Sequence, residues 1–191
     1  MSILKNVSGS IALTAKEEQF FLSLLRPRKF DKKDSVLNIH DACKHQSFVV
    51  KGCLKVFYLD EAGAEHIVKF AVENWWAFDI ESFFYNTPSL HGIACLEDTE
   101  VLQLTREDHE ELVTRVPAFE KFYRMMMLNS FIALQHRIRQ SLALSANERY
   151  HQFQQKYPGL EARIAQKDIA SYLGITPVFL SMLRKQDLVK H

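Results

Sequence analysis

Three sets of residues in this sequence are of types that do chemistry. The first is the histidines, eight in all, among them His40, His45, His66 and His91. A catalytic metal needs converging histidine and carboxylate ligands, typically an HxH pair with a glutamate downstream, and no such pairing occurs. No Ser/His/Asp set and no phosphate-binding glycine loop stands in the chain either. An enzyme, including a metal-dependent one on a cupin-like roll, is therefore disfavoured, and no metal site is expected. The second set is Cys43, Cys53 and Cys95, far apart and outside any CxxC or Cys/His cluster with metal spacing. Flanked by apolar or small residues, they read as reduced core thiols rather than redox or iron–sulfur groups.

The third set is the run 166–184, Gln166-Lys167-Asp168-Ile169-Ala170-Ser171-Tyr172-Leu173-Gly174-Ile175-Thr176-Pro177-Val178-Phe179-Leu180-Ser181-Met182-Leu183-Arg184. A helix-turn-helix needs two helices crossing steeply at a tight turn. Ala170 is small where the second helix must approach, and Gly174 can take the left-handed turn conformation. Ile169, Leu173, Ile175, Leu180 and Leu183 fall at inward positions, and Thr176-Pro177 is an N-cap and first-turn pair. The competing reading is an unrelated helical hairpin. In the docked form the second helix enters the major groove of double-stranded DNA, presenting Thr176, Pro177, Val178, Ser181 and Met182 to base edges. Bidentate base reading wants Arg, Asn, Gln or Glu, so this face would work through thymine methyls, hydroxyls or DNA shape. Lys167, Ser171, Arg184 and Lys185 are candidate phosphate contacts, each equally readable as a solvated surface residue.

The elements that must position this motif follow from the patterning. With 47% hydrophobic and 25% charged residues the composition is that of an ordinary globular protein. The sequence has neither a leader pattern nor an unbroken apolar span, which predicts a cytoplasmic protein off the membrane. The whole-chain charge is +1; residues 145–191 hold seven Lys/Arg against four Asp/Glu, a net of +3, leaving −2 for the rest. A mildly basic C-terminal piece suits a polyanion partner. Residues 14–25 open with a capping box, Thr14 and Glu17, and read as an amphipathic helix ended by Pro27. Residues 29–104 change to short strand-like runs broken by turn residues, including 47–50, 53–59, 66–70, 93–96 and 100–104. That texture indicates an antiparallel sandwich or roll.

A capping box at Thr105 starts another helix, and Pro117 precedes the longest helical segment, 118–144. Within it Met127, Phe131, Leu134 and Ile138 repeat at spacings of four, three and four, an a/d seam suited to a homodimer contact, with an ordinary core helix as the alternative. Phe119, Phe122, Met125, Met126, Leu128 and Ile132 widen the stripe toward the sheet. The expected organisation is α+β: a β-roll sensor with flanking helices at 1–117, a dimerisation helix at 118–144 and a helix-turn-helix unit at 145–191.

Several stretches together resemble the Crp/Fnr superfamily of transcription regulators, especially its short bacteroidete-type branch. They are Val50-Lys51-Gly52-Cys53-Leu54 to Tyr58, the run 70–79 with Glu73-Asn74-Trp75-Trp76, Leu96-Glu97-Asp98-Thr99-Glu100, Ile132-Ala133-Leu134-Gln135-His136-Arg137-Ile138, Ser145-Ala146-Asn147-Glu148-Arg149-Tyr150, and 166–176. The resemblance spans nearly the whole chain. It implies a cyclic-nucleotide-binding-like double-stranded jelly roll, a dimer helix and a winged helix-turn-helix, with DNA, a second copy and RNA polymerase as partners.

The chain departs from that family in three respects. Cyclic-nucleotide-binding members place a Gly-Glu pair on the ribose and an arginine some ten residues later on the phosphate; here the stretch reads Phe78-Asp79-Ile80-Glu81, with Ser89 at the arginine's place. An anion in a partly buried pocket without a cationic partner is costly, so the expectation is a pocket at Phe78, Asp79, Glu81 and Ser89 for an effector other than cyclic AMP, and no other cofactor. Val178 and Met182 stand where the family commonly carries glutamate and arginine on its recognition helix. Residues 186–191 are too few for a full wing, which is expected to be short or missing. The apolar recognition face keeps a second reading open: an effector-binding or protein-interaction module that has lost DNA binding.

Overall fold

The structure is a computed structural model that describes residues 2–189. Two short helices come first, α1 (Ser2–Ser8) and α2 (Ala15–Leu24). The start of α2 is fixed by reciprocal capping: the Thr14 hydroxyl accepts from the Glu17 N–H, and the Glu17 carboxylate accepts from the Thr14 N–H at 2.7 Å. The helix ends at Leu24, and Pro27, expected to be the stop, already lies in β1 (Arg26–Phe30). Proline is tolerated there because β1 is the outermost strand of its sheet.

The roll is built from β1, β2 (Ser35–Leu37), β3 (His45–Lys51), β4 (Leu54–Leu59), β5 (Glu65–Ala71), β6 (Trp76–Ala77), β7 (Gly92–Cys95) and β8 (Thr99–Thr105). They form two four-stranded antiparallel sheets, ordered β1-β8-β3-β6 and β2-β7-β4-β5. In the first, β3 and β8 pair with Phe48 opposite Leu102; in the second, β4 and β5 pair with Leu54 opposite Ala71. Asp60 holds the β4–β5 turn by accepting from the Ala62 and Ala64 N–H groups. The short helix α3 (Ile80–Tyr85), not foreseen from the sequence, interrupts the roll between β6 and β7.

Beyond the roll lie α4 (Arg106–Arg115), α5 (Ala118–Ala143), α6 (Ala146–Lys156), a single 3-10 turn at Leu160–Ala162, α7 (Gln166–Leu173) and α8 (Pro177–Val189). Ser145 and Glu148 cap α6 reciprocally, as Thr14 and Glu17 cap α2. The α5 helix has 26 residues, which at 1.5 Å per residue makes it about 39 Å long.

Three apolar cores result. Between the sheets lie Cys43, Val49, Leu54, Phe83, Ile93 and Val101, with others. The outer face of the first sheet, through Phe48, Trp76, Leu102 and Leu104, packs against α1, α2, α4 and the start of α5. The outer face of the second, through Cys53, Ile67, Phe70 and Leu96, packs against α6, α7 and α8. All three cysteines are free and buried, and burial pushes each thiol up, Cys95 to about 11 and Cys53 to about 12.

One expectation about α5 fails. Leu128 and Ile132 do not widen the buried stripe; they are 48% and 39% exposed. The buried residues of α5 are Phe119, Phe122 and Tyr123, because the helix runs past the sheet that covers its first turns.

Phe70 is the hub of the third core, with ring centroids 6.1 Å from Phe153, 5.6 Å from Tyr157 and 5.2 Å from Tyr172. Phe70→Ala is expected to cost about 3–5 kcal/mol, the range for emptying a large buried aromatic site. Urea unfolding of the variant checks this; a loss under about 1 kcal/mol would mean the helices do not depend on that contact.

Candidate functional site

Helices α7 and α8 are joined by a tight turn at Gly174. Gly174 sits at φ +66°, a left-handed conformation that ends α7, and the Ile175 N–H returns to the Ala170 carbonyl at 3.0 Å. The Thr176 hydroxyl accepts from the Phe179 N–H at 3.2 Å, starting α8 at Pro177. Ile169, Ala170, Leu173, Leu180 and Leu183 are buried together, and Ile175 is half-buried beside them. The helix continues through residues 186–189, so that stretch forms no strand of a wing, and residues 190–191 lie outside the described residues.

The outward face of α8 is apolar and open. Thr176, Pro177, Val178 and Met182 are exposed, as is Phe179, which the sequence reading did not place there; Ser181 is half-buried. Among the candidate phosphate contacts, Lys167 and Lys185 are exposed and Arg184 is half-buried. Ser171 differs: its hydroxyl donates to the Glu65 carbonyl at 2.7 Å and accepts from the Ile67 N–H at 3.1 Å, so it is committed to β5.

Contacts centred on Arg163, which was not singled out in the sequence, fasten this pair to the roll. Arg163 makes a two-pronged contact with Glu73, at 2.7 and 3.1 Å, and also bonds Glu97. Glu73 in turn accepts from the Gly52 N–H at 2.9 Å. Burial alone would raise the Glu73 carboxyl, but the Arg163 and backbone hydrogen bonds outweigh it and hold it below its usual range. Gly52 has φ +101°, and a Cβ there would meet Thr99 and Asp98, so the sharp turn before β4 requires glycine. Lys55 bonds Glu65 and lies 3.9 Å from the buried Asp168 of α7, whose carboxyl is raised by burial against the pull of that lysine. Glu73, Glu97 and Gly52 had stood out as motif residues, but only the fold gives them a role: the two glutamates meet Arg163, and Gly52 donates to Glu73.

Inside the roll, Asp79 and Ser89 bond one another. The buried Asp79 carboxylate accepts from the Ser89 hydroxyl at 2.7 Å, from the Ser82 N–H at 3.0 Å as cap of α3, and contacts His91 Nδ1 at 2.9 Å. Burial opposes its ionisation, yet these three bonds lower its pKa. The end of α3 therefore carries its own fixed anion. Phe78 is half-buried against Phe83, and Glu81 is exposed. A cavity of about 420 Å³ opens nearby, lined by Leu37, Asp41, Lys44, His45, Ser47 and Ala77 among others, and by none of the four predicted pocket residues. Phe78 packs on Phe83, Asp79 and Ser89 are bonded to one another and to their neighbours, and Glu81 faces solvent. Among the described residues no cluster of three or more His, Cys, Asp or Glu is arranged to hold a metal.

On the distal half of α5, Phe131, Leu134 and Ile138 are half or more exposed and Met127 is half-buried. They form an uncovered apolar seam that Leu142, 83% exposed, extends by one turn. Among the described residues no helix is long and apolar enough to cross a membrane.

Residues 27–116 match the family model of the cyclic nucleotide-binding domain. No curated protein matches by sequence. Solved structures with a similar fold include FixK2 from Bradyrhizobium japonicum, 16% identical, with a TM-score of 0.78 over 87% of this chain and 85% of that one. Another is CLP of Xanthomonas campestris, described as a c-di-GMP-responsive global regulator, 10% identical, TM-score 0.70 over 93% of each chain. A third is the catabolite activator protein of Thermus thermophilus, 18% identical, TM-score 0.52 over 94% and 85%. FixK2 and the catabolite activator are Crp/Fnr-type regulators. At these identities the likeness is one of fold, and it extends beyond the roll into the C-terminal helices.

Because Asp79 titrates below its unfolded value, its stabilising effect is present above the ordinary carboxylate range, about pH 4, and is lost as pH falls through the folded value. The stability gap between the wild type and Asp79→Asn should therefore be full at pH 6, about 1–3 kcal/mol, and shrink toward pH 2. Urea midpoints of both proteins across that range check it; a gap that widens in acid would contradict the sign.

Proposed function

We propose that this protein is a homodimeric DNA-binding transcription regulator of the Crp/Fnr type. Its parts are a roll sensor at 1–117, a dimerisation helix at 118–144 and a helix-turn-helix unit at 145–191. The observation that carries the reading is the α7–α8 pair: a left-handed Gly174 turn, a capped second helix and an open outward face, joined to a roll of the cyclic nucleotide-binding kind. A helix so presented fits a major groove, with Thr176, Pro177, Val178, Ser181 and Met182 toward base edges and Lys167, Arg184 and Lys185 toward phosphates. Ser171 could join them only after leaving β5.

With no arginine or amide on that face, specificity rests on thymine methyls, hydroxyls and DNA deformability. The family's usual operator does not transfer. The exposed seam of α5 is assigned to a second copy, which would set two α8 helices on half-sites one DNA turn apart. RNA polymerase is the further partner this role entails, in the cytoplasm. The roll is not assigned to cyclic AMP: Asp79, a carboxylate, stands at the end of α3, so a phosphate brought there meets like charge. An effector or partner acts by shifting the roll against α5 and changing the spacing of the two heads.

A second reading draws on the chemistry of α8. Val178, Phe179 and Met182 are 72%, 41% and 51% exposed, an apolar patch that also suits a protein partner. Selection of bound fragments from a genomic library separates the two. A DNA-binding dimer enriches inverted half-sites about one turn apart, with affinity that falls steeply as salt rises. Fragments without a shared sequence, or with no salt dependence, would favour the protein-interaction module. Leu134→Glu and Phe131→Glu are expected to yield monomers in sedimentation and to reduce operator affinity at least tenfold; dimers that persist in both variants would dismiss the seam.

A further inference from the structure

We propose that Lys69, whose side chain bridges β5 and β6, is a site of reversible carbamate formation with carbon dioxide. β5 is the last strand of one sheet and β6 the last of the other. The Lys69 side chain crosses between them, and its Nζ donates to the Trp76 carbonyl at 2.8 Å. The same Nζ lies 5.8 Å from the centroid of the Trp75 ring, and Lys156 Nζ, at the end of α6, lies 5.8 Å from that ring as well. Lys156 is also 5.2 Å from the Tyr157 ring. Among the described residues no carboxylate stands at ion-pair distance from either lysine. Two amines of like charge therefore share one indole, with a carbonyl and rings to orient them and no anion between them.

Carbon dioxide reacts only with an uncharged amine. An N–C bond forms, a C–O π pair moves onto oxygen, and one N–H proton leaves to water. The product is a carbamate anion, and neither an oxidant nor an activated donor is consumed. Burial, helped by the nearby charge of Lys156, brings Lys69 down to about 8. At pH 7.5 about a quarter of such amines are neutral, against about one in a thousand for an ordinary lysine. Lys69 is half-buried, so a neutral three-atom molecule reaches it more readily than a bulky, charged acyl donor.

The surroundings also suit the product. The carbamate keeps one N–H, which can still donate to the Trp76 carbonyl, so the bridge between β5 and β6 survives the reaction. Its charge is opposite to that of the ammonium it replaces, which turns the repulsion from Lys156 into an attraction. Lys69 belongs to the roll and Lys156 to α6. Carbon dioxide would thus strengthen the join that Arg163 makes with Glu73 and Glu97. The inference stands whether or not the chain binds DNA.

The test exposes the full chain at pH 7.5 to isotope-labelled carbon dioxide and bicarbonate, traps carbamates with triethyloxonium, and maps the ethylated lysines by peptide mass spectrometry. Label is expected at Lys69, at least about fivefold above that at the exposed Lys32 and Lys33, and rising with carbon dioxide at constant pH. Lys156→Gln, an exposed position, removes the charge that both favours the neutral amine and faces the carbamate. It should lower the Lys69 label at least about threefold with unchanged melting. The proposal fails if Lys69 carries no label, if Lys32 and Lys33 carry as much, or if Lys156→Gln leaves the Lys69 label as it was.

Discussion

The ring of Phe70, fully buried in the outer face of one sheet, is closed over by Phe153, Tyr157 and Tyr172 from the C-terminal helices. Interdigitated rings leave few alternative packings, so this cluster decides how α7 lies against the roll. The direction of α8 follows, because α7 and α8 share Ile169, Leu173, Leu180 and Leu183. Polar contacts then confirm the same pose at the rim of the cluster: the Tyr157 hydroxyl on the Phe70 carbonyl, Arg163 on Glu73 and Glu97, and Lys55 beside Asp168. The exposed face of α8 is thus set by a core some distance from it.

Charge is distributed unevenly around that core. Within the roll the fixed charge at α3 is negative, Asp79 held by Ser89, Ser82 and His91. Between roll and helices the unneutralised charges are positive. The net charge of +1 conceals both. A chain built on the cyclic nucleotide-binding plan has here filled the end of α3 with its own carboxylate.

Much of the architecture was legible because its signals are local. Strands alternate with period two, capping boxes mark helix starts, and a small residue followed four positions on by glycine, Ala170 and Gly174, marks the tight turn. What could not be read depends on where surfaces end or on contacts distant in sequence. Leu128 and Ile132 continue the apolar pattern of α5, yet nothing in that pattern says that burial ends before them. Ser171 looks like any hydroxyl on a short helix, and only the fold brings it to Glu65 and Ile67. Arg163 meets Glu73 ninety residues away. The helix α3 is too short to show a period, and its cap Asp79 could be read as a pocket residue because both roles ask for the same side chain.

The hydroxyl of Ser171 also bears on an exposed sheet edge. In its sheet β5 ends the row, so part of its main chain has no neighbouring strand. Ser171 takes up the Glu65 carbonyl and the Ile67 amide, Arg137 takes the Ile67 carbonyl, and Tyr157 takes the Phe70 carbonyl. These side chains plug the open edge where a foreign strand would otherwise add on. Swinging the helices away would bare that edge, so the same contacts that orient the C-terminal unit also guard the chain against edge-to-edge aggregation.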